Sequence, residues 1–350
     1  MKLNQLLLAG LSGALFTASA WADTTLVVTG GNASITLLYD RTTNAVLANA
    51  VIVPSPTNAN IRTFIGTIPS QPGLGKVTIH YSQLGAAAGI VALRDQVNVA
   101  LATNAPAPAQ VAVSSTAPET VGIDGSIFGQ DYTAVVPFAF IKNPNLPNSL
   151  GGLTNLTQRQ VTYLEGASGT LPTVVFGGSS TNELLYFVGR DSSAAVRQIL
   201  DASVYFTGTA ANYTTNPVAG QPPILHPAGG AGSGGEVKAI IGVLSNAVGT
   251  VAAQDISTYT PLAYEGVSYS ITNVANGSYP LWGYERWLHK SSGSGQPSAA
   301  QLAVINALVS AIQDPAFQST NSLFVGKFVS PSSMQVGRTS DGGPITSLVF

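Results

Sequence analysis

The 350-residue chain has no cysteine, three histidines, two methionines and three tryptophans, and only 9% of its residues are charged. Without cysteine there is no disulfide framework, no thiolate metal site and no lipoprotein acylation site. His80, His226 and His289 show no H-x-x-x-H spacing and no nearby acidic pair, so no metal or other cofactor is expected. With 14 basic and 16 acidic residues, the formal net charge of −2 gives no basic footprint for nucleic acid and no polybasic segment for a membrane surface. A Gly-x-Ser-x-Gly nucleophile elbow is missing, and with no recognisable triad or metal set the chain does not read as an enzyme. No segment reaches the roughly 20 uninterrupted apolar residues that a membrane helix needs, so no membrane insertion is expected.

What the chain does have is apolar and small residues: 45% hydrophobic, with 37 glycines and 21 prolines. This composition excludes charge-driven disorder and supports a large core, and the length suits two domains or one elaborated domain. Lys2 is the only charge before the apolar run 6–16, and Ala20-Trp21-Ala22 fits the small-residue rule for signal cleavage. Residues 1–22 are therefore expected to be a signal peptide, leaving a soluble periplasmic or secreted chain from Asp23.

Residues 184–200, LLYFVGRDSSAAVRQIL, carry the most informative pattern. An apolar run ends in Gly189-Arg190, the polar turn Asp191-Ser192-Ser193 follows, and a helical pattern begins. A guanidinium, two hydroxyls and the free amides of a helix start then meet in one place, which suits an oxyanion. Arg190 adds a planar, bidentate fork. The plain alternative is a strand–helix turn with a surface arginine.

The same strand–turn–helix theme recurs. The run 25–29 leads through residues 30–34 into a helical pattern over 35–46. The run 76–81 leads into the turn 85–89, and the run 110–113 into SSTAP. A buried-type strand over 133–141 is interrupted by Pro137, and a helix over 155–166 takes Thr157 as its cap. Residues 237–244 and 261–271 read as further strands. Ser298 caps a helix over 299–312 whose Leu302, Ile305, Val309 and Ile312 share a face. Gly229–Gly235 (GGAGSGG) reads as a flexible loop, because it lacks the Lys-Ser/Thr of a P-loop. His80 reads as a packed strand histidine, Asp124 and Asp131 as solvated loop acids, and Tyr279, Trp282, Tyr284 and Trp287 as packing for a lobe or hinge. Alternating strands and helices predict a parallel or mixed α/β sheet with ligands at the carboxyl ends of its strands.

In this order the segments resemble the phosphate-type periplasmic solute-binding proteins of ABC transporters. The resemblance rests on Gly30–Ser34, on YSQLGAAAGIVAL (81–93), on VVPFAFIKNPN with LTNLTQRQVTYLEG, on VGRDSSAAVRQI, and on NVANGSYPLWGYERWL (273–288). It covers most of residues 25–350 and implies a two-lobed, type II periplasmic-binding-protein-like α/β fold. Mixed sheets would be flanked by helices, with the ligand cleft between the lobes. Lobe 1 would be 25–117 plus 245–350, lobe 2 would be 118–244, and closure would occur by hinge motion.

The resemblance also implies the site. Arg190 matches the family's arginine and Ser193 a serine after it, with Ser192 in the same turn. Asn32 and Ser34 align with its threonine turn. The serine of its Gly-Ser-Ser-Gly turn falls on Ala86 or Ala87, and its acidic residue on Thr116. The family's following glycine and threonine fall on Ala194 and Ala195. Losing the carboxylate weakens selection for hydrogen phosphate over sulfate-like anions. Each buried polar partner left unsatisfied costs about 1–3 kcal/mol.

The leading expectation is an exported, monomeric solute receptor for a small oxyanion such as phosphate, with an ABC permease as candidate partner. The alternative is a binding-fold relative without the anion site, acting as a secreted or surface interaction protein.

Overall fold

The computed structural model describes residues 23–31, 33–145, 152–166 and 169–348. The expected signal segment 1–22 and the candidate ligand residue Asn32 lie outside the described residues.

One mixed sheet organises the chain. Its principal strands are β1 (Thr24–Gly30), β2 (Ala48–Pro54), β3 (Ile61–Thr67), β4 (Val77–Ser82), β5 (Val111–Ser114), β6 (Phe128–Lys142), β7 (Thr170–Pro172), β8 (Leu184–Val188), β9 (Ala247–Ala252) and β10 (Trp282–Lys290). They lie in the order β7-β8-β9-β6-β10-β5-β1-β4-β3-β2. The helices are α1 (Ile35–Arg41, continued by a π-turn over Thr42–Val46), α2 (Ala86–Asp95), α3 (Gln158–Gly166), α4 (Ala195–Ser203), α5 (Gly234–Val243), α6 (Ile271–Ala275), α7 (Ala299–Gln313) and α8 (Pro315–Thr320). The pairs β1–β4, β1–β5 and β8–β9 are parallel, whereas β6 runs antiparallel to both β9 and β10. Parallel neighbours need long crossovers, and the helices between them supply these.

Strand β6 divides the sheet. From Phe128 to Pro137 it faces β10, and from Phe138 to Lys142 it faces β9. Pro137, expected to interrupt the strand, sits where the partner changes. It has no N–H to give to a ladder, so this is a place where proline costs little. The next amide, of Phe138, donates to the Leu281 carbonyl at 2.9 Å. One half of the sheet thus holds β2, β3, β4, β1 and β5, the other β9, β8 and β7, and the long strands pass between them.

Residues 237–244 form helix α5 rather than the expected strand. Val237, Ile240 and Ile241 are buried at helical spacing, and the Ser233 hydroxyl accepts the Glu236 amide at 3.1 Å. Cap and packing outweigh the β-propensity of valine and isoleucine. Nor is 261–271 a strand: Thr260–Pro261 and Ala263–Tyr264 make short pairings, and α6 begins at Ile271. The β2–β3 hairpin was not anticipated; at the sheet edge, Val51 and Ile52 stay exposed. Helix α7 has the expected Ser298 cap, closed into a capping box by Gln301. Tyr279, Trp282 and Trp287 are fully buried, and the Arg338 guanidinium stacks on Trp282 at 3.7 Å, so the aromatic cluster is packing.

Helices α3 and α4 meet over a buried charged group. Arg197 Nε donates to Asp201 Oδ1 at 2.5 Å and lies 3.9 Å from Glu165 Oε1. Glu165 is 1% exposed, and its oxygens have no hydrogen-bond partner among the described residues. Burial first, then the Asp201 charge, push its carboxyl up to about 8, against the pull of Arg197. The folded state therefore keeps a proton that the unfolded chain releases near 4.5. Stability from this group falls as pH rises between those values. Melting curves across pH 4–9 should show Glu165→Gln flattening that decline and melting several degrees above the parent at pH 9. A variant with the parent's slope would refute the assignment.

Candidate functional site

A cavity of about 250 Å³ lies between the two halves of the sheet, at the carboxyl ends of five strands. Gly31 and Ala33 follow β1, Gln83 and Ala86 follow β4, and Ser115 follows β5. Arg190 and Ala194 follow β8, and Gln254 and Asp255 follow β9. This is where open α/β sheets place ligands. Four helices also begin here: Ile35 and Thr36 of α1, Ala86 of α2, Ala195 and Val196 of α4, and Gly234 and Gly235 of α5 all line the cavity. First-turn amides have no partner inside their helix, and the helix dipole makes that end positive.

Arg190 is only 5% exposed. Its Nε donates to the Ala231 carbonyl and its Nη2 to that of Gly232, both at 3.0 Å. Nη1 has no hydrogen bond among the described residues and is not sealed from solvent. Burial works against the guanidinium charge, while Asp191, Asp255 and Glu236 support it. The glycine segment 229–235, expected to be a flexible loop, is the wall that holds this arginine. Ala231 forms a parallel bridge with Arg190. Gly230 lies so close that a Cβ would come within 2.3 Å of the Arg190 carbonyl oxygen. Ser233 then caps α5, and Glu236 ties back to the Gly232 amide at 2.7 Å and to His226 Nε2 at 3.0 Å.

A second buried charge sits on the other side. Glu285, 1% exposed on β10, accepts the hydroxyls of Ser34 and of Ser115, the latter at 2.5 Å. Burial pushes its carboxyl above the usual range, and the two serine hydrogen bonds and Arg286 oppose that. Asp255 packs against the start of α5, where a Cβ on Gly234 would meet its carboxylate at 2.3 Å. Burial raises its carboxyl, against Lys238 and Arg190.

Of the candidate residues, Arg190 and Ala86 line the cavity. Ser34 lies behind it, bound to Glu285. Ser193 sits at the rim: its hydroxyl donates to Asp191 Oδ1 at 2.5 Å, and its carbonyl accepts the Ala87 amide at 3.3 Å. Ser192 is exposed, and its carbonyl accepts from Gln198. Thr116 is fully buried outside the lining, with its hydroxyl unpartnered. Sequence reasoning missed Gln83, Ser115, Ser233, Gln254, Asp255 and Glu285. The pattern Ser233-x-x-Glu236 was a readable capping signal for α5. A lone acid in the aromatic strand WGYERWL was the sign of a buried carboxylate.

No family model and no curated protein matches the chain. Among solved structures, it superimposes on a candidate phosphate ABC transporter substrate-binding protein from Clostridium perfringens, determined with bound phosphate, at TM-score 0.56. Identity is 15%, over 87% of this chain and 99% of that one. An ABC-type phosphate transport receptor from Vibrio cholerae gives TM-score 0.54 and 16% identity, over 87% of this chain and 100% of the other. The chain has the two-lobed fold of periplasmic binding proteins. The cavity lies between the two halves of the sheet.

Replacing Glu285 separates its charge from its hydrogen bonds. Glu285→Gln keeps an acceptor for one serine and is expected to change stability by less than about 1 kcal/mol. Glu285→Ala leaves both serine hydroxyls without an acceptor and opens a void, costing about 2–4 kcal/mol. Urea denaturation of both variants tests this, and equal losses would contradict it.

Proposed function

We propose that the chain is an exported solute-binding protein that captures a small oxyanion between its two lobes and delivers it to an ABC permease. The observation that carries this reading is that Arg190, whose Nη1 has no hydrogen bond among the described residues, lines a cavity on which four helix starts converge. Backbone amides and one guanidinium can hold an anion without many side-chain hydroxyls. This offsets the hydroxyls missing at Ala195 and at Ala86 or Ala87. We assign Ser34 and Thr116 to supporting the cavity wall and Ser193 to the closed rim; Ser192 remains a candidate for the cleft mouth, and Asn32 remains a candidate ligand residue. We place β9 with Gln254 and Asp255 in the second lobe, extending it past residue 244, because β9 pairs with β8 and with the later part of β6. No helix among the described residues is long and apolar enough to cross a membrane.

A thermal-shift titration with phosphate, sulfate and phosphate monoesters tests the reading. A ligand in hundredfold excess over its dissociation constant adds about 2.7 kcal/mol of apparent stability. Arg190→Ala should abolish the shift. Ala195→Asp should abolish it as well while leaving basal stability intact, because an acid suits a helix start but repels the ligand. A flat response from the parent protein would favour the interaction-protein alternative.

A further inference from the structure

We propose that the cleft selects a small organic zwitterion, a tetrahedral oxyanion head bearing an ammonium group, over a bare inorganic dianion. The inference deepens the oxyanion reading and rests on it. The cavity has two poles of opposite character. One is the donor pole of Arg190 Nη1 with the starts of α1 and α4. The other is an acceptor pole of three groups, of which the single O–H of hydrogen phosphate can serve only one.

Three groups make the acceptor pole, and they come from both lobes. Asp255 lines the cavity half-buried, with no hydrogen bond or ion pair engaging its carboxylate among the described residues. Gln83 lines it as well, and its Oε1 is a buried acceptor without a partner. Ser115 has given its hydroxyl proton to Glu285, so it presents lone pairs to the cavity. A dianion placed beside Asp255 would meet a like charge, and the one O–H of hydrogen phosphate can answer Asp255 or Gln83 Oε1 but not both. An ammonium group with three donors answers both. Net charge points the same way. Asp191, Asp255 and Glu236 lie near enough to act on the single guanidinium of Arg190. Size agrees too. About 250 Å³ holds roughly eight waters at about 30 Å³ each, more than a five-heavy-atom anion displaces.

Calorimetric titration of the protein with inorganic phosphate, ethyl phosphate and phosphoethanolamine tests the proposal, since the last two differ chiefly in the amine. Phosphoethanolamine is expected to bind at least about tenfold more tightly than ethyl phosphate, the scale of one buried charge-assisted contact. In Asp255→Asn, a near-isosteric change whose folding is checked by its melting curve, that ratio should fall close to one. Ethyl phosphate binding as tightly as phosphoethanolamine, or a preference that survives Asp255→Asn, would overturn the ammonium pole and leave the oxyanion reading standing. Absence of binding by all three would overturn the oxyanion reading and this proposal with it.

Discussion

The architecture of the cleft depends on one requirement: a guanidinium taken almost wholly out of water must have acceptors along its donor edges. Arg190 finds two of them in consecutive carbonyls, Ala231 and Gly232, from a segment that follows some forty residues later. For those carbonyls to reach it, that segment must lie flat against the end of β8. The reciprocal bonds from the Asp191 amide to Ala231 and from the Ala231 amide to Gly189 hold it there. The approach leaves no space for a Cβ at Gly230. With the glycine segment fixed, Ser233 begins α5 at the cavity edge, and three of the arginine's five N–H donors, both on Nη1 and one on Nη2, are left uncommitted among the described residues. A binding donor and the wall beside it are thus products of the same desolvation problem.

Glu285 is the same problem with the opposite sign, solved differently. Among the described residues no cation is hydrogen-bonded to its carboxylate; two serine hydroxyls satisfy it instead, one from the start of α1 and one from the turn after β5. This fixes the direction of both hydroxyls. Ser115 would be a natural anion donor, yet its proton points away from the cavity. Counting hydroxyls along the cleft therefore overstates its capacity for an anion, and counting lone pairs reveals a second chemical character. A site that looks depleted beside hydroxyl-rich anion cradles is better described as divided between donors and acceptors.

The parts legible in the sequence were those encoded locally. Strands β1, β4, β5 and β8 announced themselves as short apolar runs ending in small polar turns, and α7 by its Ser298 cap and one-sided apolar face. Arg190 was legible because it stands at such a junction. The errors arose where local preference and tertiary context disagree. Val237, Ile240 and Ile241 read as strand residues by type, and only packing on β9 with the Ser233 cap makes them a helix. Pro137 read as a break, because nothing local shows that a strand changes partners there. Gly229–Gly235 read as flexible because its constraint is an arginine distant in sequence. Gln83, Asp255 and Glu285 were not legible as a group, since the sheet order alone brings the ends of β4 and β9 and the middle of β10 together. The order of the turns was enough to indicate a cleft; the identity of its acceptors required the fold.

The joints between the lobes show what a ligand has to supply. Strand β6 runs from one half of the sheet into the other, and β10 begins at Trp282 opposite Pro137, so opening would bend the chain near Pro137 and Trp282, where the partner of β6 changes. Directly across the rim, the start of α2 meets the β8–α4 turn through the Ala87 amide and the Ser193 carbonyl, at 3.3 Å. Gly85 approaches the same serine closely enough that a Cβ would lie 3.2 Å from its hydroxyl oxygen. A single neutral hydrogen bond contributes only about 0.5–1.5 kcal/mol net, and apolar contact adds to it where Ile199 of α4 packs beside Gly283 of β10. A ligand that touches both sides of the cavity at once would add to both. An oxyanion bridging Arg190 and the starts of α1 and α4 does so. A ligand that also reaches Asp255 on one lobe and Gln83 on the other does so with a second pair of contacts, each lost when the lobes part.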